Sequence, residues 1–294
     1  MTEKIILAAP EGPTRARLAQ GFQSRGFEVI ELRRETIVSD RNLLVDDEAI
    51  RLDGRDLTDG VDAALVLDSG YLFSMPMLGP TEAEWERHRE NFDDYLRLER
   101  EGTSLWFTLL ELIGDKVPRA INPQAAFAFH ALKPHGLLTL AEKGVAVAPF
   151  VVSNDPDAFE CLSEHKELRL SRLRSDASAE WIDRERLVGL PLDQEPALIH
   201  GLDTRELTEV IVAGAASVRA GGGEPLAEDA ALARDALEAL GACFGLVVLG
   251  NVDGRSVVVD FDLCPDLGAL DDARFGALLD GLVRLMKTGE EPGR

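Results

Sequence analysis

Lys133-Pro134 stands between two apolar, helix-patterned segments, Gln124–Leu132 and His135–Lys143, and the proline forces a break there. Proline has no backbone N–H for a continuing helix, so residues 124–143 must form two helices instead of one. Asn122-Pro123 turns the chain into the first helix, and Gly144, which accepts a positive φ, caps the second. Val145–Val152 then reads as a strand, closing on Ser153-Asn154-Asp155. Lys133 is thereby placed at a helix break with His130 and His135 on either side, where a lysine can donate to a phosphate.

The segments before this one have a different rhythm. Lys4–Ala9 is a short apolar run, Arg15–Ser24 has helical spacing, and Phe27–Leu32 is apolar again, which reads as the start of a parallel sheet. The loop after the first strand contains Gly12 alone, without the three glycines of a dinucleotide fingerprint. Leu43–Leu52 and Ala63–Leu67 read as further strands, and Leu52-Asp53-Gly54-Arg55 as a turn, so residues 1 to about 75 are expected to form a small α/β domain. Glu82–Ile113 is charged on one face and apolar on the other (Trp85, Phe92, Trp106, Leu109, Ile113), and Gly102 divides it into a pair of helices packing on that sheet. Arg87, Arg97 and Arg100 lie among acids and read as a solvated helix face.

Charge and cysteine usage exclude several classes of function. Against 31 basic residues the chain has 53 acidic ones, a net charge of -22, which repels nucleic-acid phosphates and anionic lipid surfaces. Cys161, Cys243 and Cys264 form neither a disulfide framework nor a zinc-type pair, and a chain of 294 residues, 45% hydrophobic, can bury a core without either. No signal-peptide pattern or membrane-length apolar run opens the sequence, so a cytoplasmic location is expected.

Toward the end of the chain, Ala230–Leu240 is an alanine-rich helix, and two strands, Phe244–Leu249 and Ser256–Phe261, flank a hairpin turn at Val252-Asp253-Gly254-Arg255. The second strand ends in Asp260-Phe261-Asp262-Leu263-Cys264-Pro265. Asp260 and Asp262 are two apart and point to one face, so they are the best magnesium-ligand candidates in the sequence, the alternative being an acidic strand end that simply faces solvent. Other constellations carry less. The five histidines, His88, His130, His135, His165 and His200, contain no i, i+4 ligand pair, and His130 reads as a packed histidine. Asp68-Ser69-Gly70 follows a strand where α/β sheets bind ligands, and Ala220–Pro225 is a flexible surface loop.

Asn122, a short helix, Lys133, the leucine-rich helix, Gly144 and Pro149 in the next strand together resemble the start of the central domain in RimK-like ATP-grasp ligases. The spacing is most similar to that of the microviridin-type, peptide-modifying members. The resemblance implies an α/β (α+β) ATP-grasp-like fold with an N-terminal pre-ATP-grasp α/β domain and helical extension at 1–118. A trimmed central subdomain at 119–190 and a C-terminal subdomain at 191–294 follow. It also implies ATP and magnesium as cofactors, with Lys133 and Arg172 at the phosphates and Asp260 and Asp262 at the metal. The catalytic residues stay unassigned.

The departures from the family pattern shape the functional expectation. The family's acidic ligand about a dozen residues before the metal strand's end is absent from Leu246-Val247-Val248-Leu249. Ser171 is nearest to the expected second phosphate lysine, and no glycine lies between Gly144 and Gly189 to build a phosphate-covering loop. Arg169, Arg172 and Arg174 alternate along a short strand, a pattern expected of an exposed edge face. No Gln-Glu pair stands in register near Pro196–Gly201, and Thr208 occupies the place expected for an acyl-phosphate arginine. Losing one well-placed donor costs roughly 3–4 kcal/mol of transition-state stabilisation, and several are missing together. The expectation is therefore a degenerate nucleotide site in a non-catalytic binding or regulatory subunit, partnered by a catalytic ATP-grasp paralogue or a peptide or protein, in a homo- or hetero-oligomer. The alternative is an active ATP-dependent carboxylate–amine ligase acting on an amino acid, peptide or protein. An α/β small-molecule binder unrelated to ligases is the third reading.

Overall fold

The computed structural model describes residues 2–10, 12–34, 43–46, 49–67, 91–171, 179–188 and 196–288. The chain divides into two compact units, 1–127 and 128–294.

In the first unit, β1 (Lys4–Ala8), α1 (Pro13–Ser24), β2 (Glu28–Leu32), β6 (Ala63–Val66) and β7 (Ala120–Ile121) build a parallel sheet of order β2-β1-β6-β7. Pro13 starts α1 at a position where its missing N–H costs nothing. Ile5, Ile6, Leu7, Ala64 and Leu65 are fully buried, as expected of a parallel strand covered on both faces. The 43–52 segment departs from the expectation of a single strand. It forms β3 (Leu43–Val45) and β4 (Ile50–Leu52), which join β5 (Arg55–Asp56) in a separate antiparallel sheet. The turn at Asp53-Gly54 has φ of 52° and 78°, the left-handed pair that a two-residue hairpin loop requires. The helix α2 (Phe92–Lys116) runs unbroken through Gly102, which corrects the expected division there. An interior glycine costs about 1 kcal/mol, and burial of Trp106, Leu109, Leu110 and Ile113 outweighs that. The 81–90 segment and Asp68-Ser69-Gly70 lie outside the described residues.

The break at Lys133-Pro134 is as expected: α3 (Gln124–Ala131) ends and α4 (Lys133–Glu142) begins with Lys133 as its first residue. Gly144 takes φ 81° just past the end of α4. The predicted 145–152 strand is divided between two sheets. Val147 pairs in parallel with Val258, and after Pro149 the chain continues as β8 (Phe150–Ser153) in a different sheet.

Two antiparallel sheets form most of the second unit. The first has order β10-β9-β11-β8, with β9 (Glu167–Ser171), β10 (Glu180–Ile182) and β11 (Ala197–Leu202). One face packs Leu168, Leu170, Ile182, Ala197 and Ile199 against Phe159 and Leu162 of a 3-10 helix (Pro156–Leu162). The second has order β13-β12-β14-β15: β12 (Thr208–Ala213), β13 (Ala216–Arg219), β14 (Phe244–Val252) and β15 (Arg255–Asp262). It is backed by α6 (Ala227–Ala239) and α7 (Asp272–Thr288), α5 being the short Arg184–Val188 helix. Ala148, Leu202, Val248, Val257 and Val259, with Trp181, Leu207 and Leu246, form an apolar cluster drawn from both sheets, so their free faces meet.

Candidate functional site

Lys133 reaches the site because the helix break places it at the start of α4, beside the end of β15. It is 5% exposed. Its Nζ donates to Asp260 Oδ1 at 3.0 Å and to the carbonyl of Phe261, and it lies 4.5 Å from the centre of the Phe261 ring. One turn on, Gly136 allows the Phe261 ring to lie against the helix, where any Cβ would clash with it. The lysine expected to serve phosphates is thus held by three features of β15.

Asp260 gets its direction from a bulge. Val248 pairs with Asp260 but Leu249 pairs with Val258, leaving Val259 as the extra residue. Asp260 also accepts the Phe261 N–H at 2.8 Å. Burial raises its pKa, but the adjacent Lys133 charge and hydrogen bond, the Arg169 charge and the Phe261 N–H together hold it below the ordinary value. Asp262, more exposed, accepts the Cys264 N–H at 2.8 Å. His130 Nδ1 is 3.5 Å from Asp262 yet accepts the Leu263 N–H at 3.2 Å, so that nitrogen carries no proton. Burial, then the Lys133 charge, lowers His130 to about 4 against the pull of both aspartates. The contact with Asp262 is therefore no ion pair at neutral pH.

The facing wall is a row across the first sheet. Trp181 pairs with Arg169, Arg169 with His200, and His200 with Phe150, which puts all four side chains on one face. Arg169 corrects the expectation of an exposed edge. Its strand, β9, is interior to the sheet, and its side chain is buried with Nη1 donating to Ser171 Oγ at 3.1 Å. Burial lowers the Arg169 pKa, while Asp260 and Glu209 act in the opposite direction. His200 is fully buried, and neither ring nitrogen has a hydrogen-bond partner among the described residues. Burial first and the Arg169 charge second lower it to about 3, so it is a neutral imidazole. Arg172 and Arg174 lie outside the described residues.

The second sheet supplies a row that sequence reasoning missed. Glu209 pairs with Val248, and Val248 with Asp260, so Glu209 shares the face of Asp260 and Arg169 feels both charges. Thr208, one residue earlier, pairs with Leu249 and stands on the alternate face. In line with Asp260 across the sheet are a valine, Val248, and a glutamate, Glu209. Only the register could have identified Glu209.

Asp260 and Asp262 are oxygen donors of the kind magnesium takes, and each already accepts a hydrogen bond. Among the described residues no group of three His, Cys, Asp or Glu side chains gathers as a metal site, and no helix is long and apolar enough to cross a membrane. His165 packs against Gly201 of β11, and His135 lies 5.3 Å from the Phe129 ring, so both histidines are in packing positions.

No family model matches the sequence, and no curated protein matches it. Solved structures do match the fold over nearly the whole chain. The ATP-grasp ligase PsnB, solved with a precursor variant, Mg and ADP, matches with a TM-score of 0.78 at 18% identity, covering 97% of this chain and 99% of its own. The macrocyclase MdnC from Microcystis aeruginosa MRC, solved with its precursor peptide, has a TM-score of 0.69 at 10% identity, covering 97% and 99%. A RimK-domain ATP-grasp protein from Sphaerobacter thermophilus has a TM-score of 0.61 at 17% identity, covering 95% and 99%. From its first strand to its last helix, this chain has the fold of the RimK-like ATP-grasp ligases, in a divergent sequence.

Proposed function

We propose that this ATP-grasp protein has a degenerate nucleotide site and works as a non-catalytic binding or regulatory subunit. The observation that carries this reading is the row Glu209–Val248–Asp260. Transfer of a phosphoryl group to a carboxylate concentrates negative charge, and the site must neutralise it with magnesium and cations. A glutamate in that row adds repulsion, and Val248 supplies no metal oxygen. Lys133 supports the same reading, because reaching a phosphate means leaving Asp260 and the Phe261 carbonyl. The partner is then a peptide, a protein or a catalytic ATP-grasp paralogue, in the cytoplasm. Precursor peptides bound to PsnB and MdnC support a peptide.

One observation favours a second reading, an active ATP-dependent carboxylate–amine ligase. The match spans 98% of a ligase solved with Mg and ADP, and Lys133 bonds Asp260, two residues from Asp262 on β15. In that case Lys133 and Arg172 hold phosphates, and Asp260 and Asp262 hold the magnesium, which supplies charge neutralisation. Thermal unfolding with and without millimolar ATP and magnesium separates the two. A ligand at a hundred times its Kd stabilises by about 2.7 kcal/mol, a shift of several degrees. The non-catalytic reading predicts no shift, and a shift abolished by Lys133→Ala would overturn it.

A further inference from the structure

We propose that the free edge of β8 binds an extended, basic peptide as an added antiparallel strand. This goes beyond the nucleotide site and holds whether or not that site works. β8 ends the sheet of order β10-β9-β11-β8, with β11 on one side only. Along that pair the Gly201 N–H donates to the Pro149 carbonyl at 2.9 Å, so these two residues face each other through a hydrogen bond. In an antiparallel ladder such pairs recur at every second residue, so Val151 and Ser153 also turn their backbone groups toward β11. The N–H and C=O groups of Phe150 and Val152 point the other way, and among the described residues they meet no hydrogen-bond partner.

The other sheet edges of the second unit are guarded. β10 opens with Glu180, and β13 ends in Arg219 and packs against α7. β15 is bonded on its outer side by the backbone of Ala146 and Ala148, and further on by the Lys133 ammonium and the His130 ring. β8 has no charge, proline or bulge within Phe150-Val151-Val152-Ser153, the devices that keep sheet edges from pairing, and Val152 is 39% exposed. Charge selects the occupant. β8 runs into Asp155, Asp157 and Glu160, all exposed, and the whole chain has a net charge of -22. A second copy would bring the same acids to the edge, whereas a cationic strand is drawn to it. An antiparallel strand places its N-terminal residues beside Ser153 and Asp155, so its basic residues belong at that end, followed by β-branched ones.

The test uses the full chain and a capped peptide of two lysines followed by alternating valine and threonine. A twin, N-methylated throughout its valine–threonine stretch, keeps the charge and side chains but cannot donate to the edge. Binding is followed by calorimetry, and amide exchange at Phe150, Val151 and Val152 by NMR. The expected result is saturable binding of the first peptide and none of its twin. Phe150 and Val152 should gain protection, while Val151, already bonded to β11, stays as it was. Val152→Pro removes an N–H that the native ladder leaves unused and should abolish binding. Val152→Lys puts a like charge on the edge and should weaken binding about fivefold, which keeps the test valid if the proline variant unfolds. Glutamines in place of the peptide lysines should weaken it about threefold, the scale of exposed ion pairs. No binding of the first peptide, equal binding of its twin, no new protection at Phe150 and Val152, or full binding by Val152→Lys overturns the proposal. A dimer of the free chain that Val152→Pro dissociates assigns the edge to a second copy and overturns it as well.

Discussion

Replacing His200 with phenylalanine should make the protein markedly more resistant to acid. The wild-type imidazole is held neutral, titrating at about 3 in place of the ordinary 6.5, because it is fully buried and faces Arg169. In the unfolded chain it binds a proton near 6.5, so between pH 6.5 and 3 the unfolded state holds more protons and stability falls as pH falls. Each pH unit in that window is worth about 1.4 kcal/mol, so from pH 8 to 4.5 the loss from His200 is roughly 3 kcal/mol. His130, depressed to about 4 by burial and Lys133, adds a loss of similar size in wild type and variant alike. Phenylalanine suits the position, because Phe150 already lies beside His200 with ring centres 6.0 Å apart. Urea unfolding of both proteins at pH 8 and 4.5 isolates the term, because every other titrating group cancels in the comparison. The variant should lose roughly 3 kcal/mol less than wild type between the two pH values. Equal losses would show that the imidazole is protonated in the folded state, and the picture of a dry, partnerless histidine would fail.

Two further perturbations read the same neighbourhood. Lys133→Ala removes the partner of a half-buried carboxylate and should destabilise the fold by about 1–3 kcal/mol, with Asp260 titrating closer to its ordinary value. Carboxylate NMR titration of Asp260 checks the second part; an unmoved Asp260 would contradict the pairing. Gly136→Ala places a methyl group against the Phe261 ring and should cost about 1–3 kcal/mol in urea unfolding, and a neutral result would show that the helix and ring are not in close contact.

Much of the fold is legible in local chemistry. Proline and glycine mark the ends of α3 and α4, and Asp53-Gly54 and Asp253-Gly254 adopt the left-handed pairs that their hairpins need. The errors come from contacts distant in sequence. Arg169 looks like an edge residue until β11, about thirty residues later, pairs on the other side of β9. Glu209 is hidden by a one-residue ambiguity, because shifting a strand register by one exchanges its two faces. The bulge at Val259, which aims Asp260, leaves no mark in a run of three valines. His200 offers nothing in sequence beyond being a histidine in an apolar strand. Lys133, Asp260 and Asp262 were all legible as candidates, and their proximity is consistent with the resemblance; the pairing of Lys133 with Asp260 required three dimensions.

Calorimetric titration of the full chain with ATP in excess magnesium tests the central claim most directly. A site with Glu209 and Val248 in line with Asp260, and with its lysine already paired, should give no saturable heat up to millimolar nucleotide. A micromolar isotherm lost in both Lys133→Ala and Asp260→Ala would contradict it and establish a working nucleotide site.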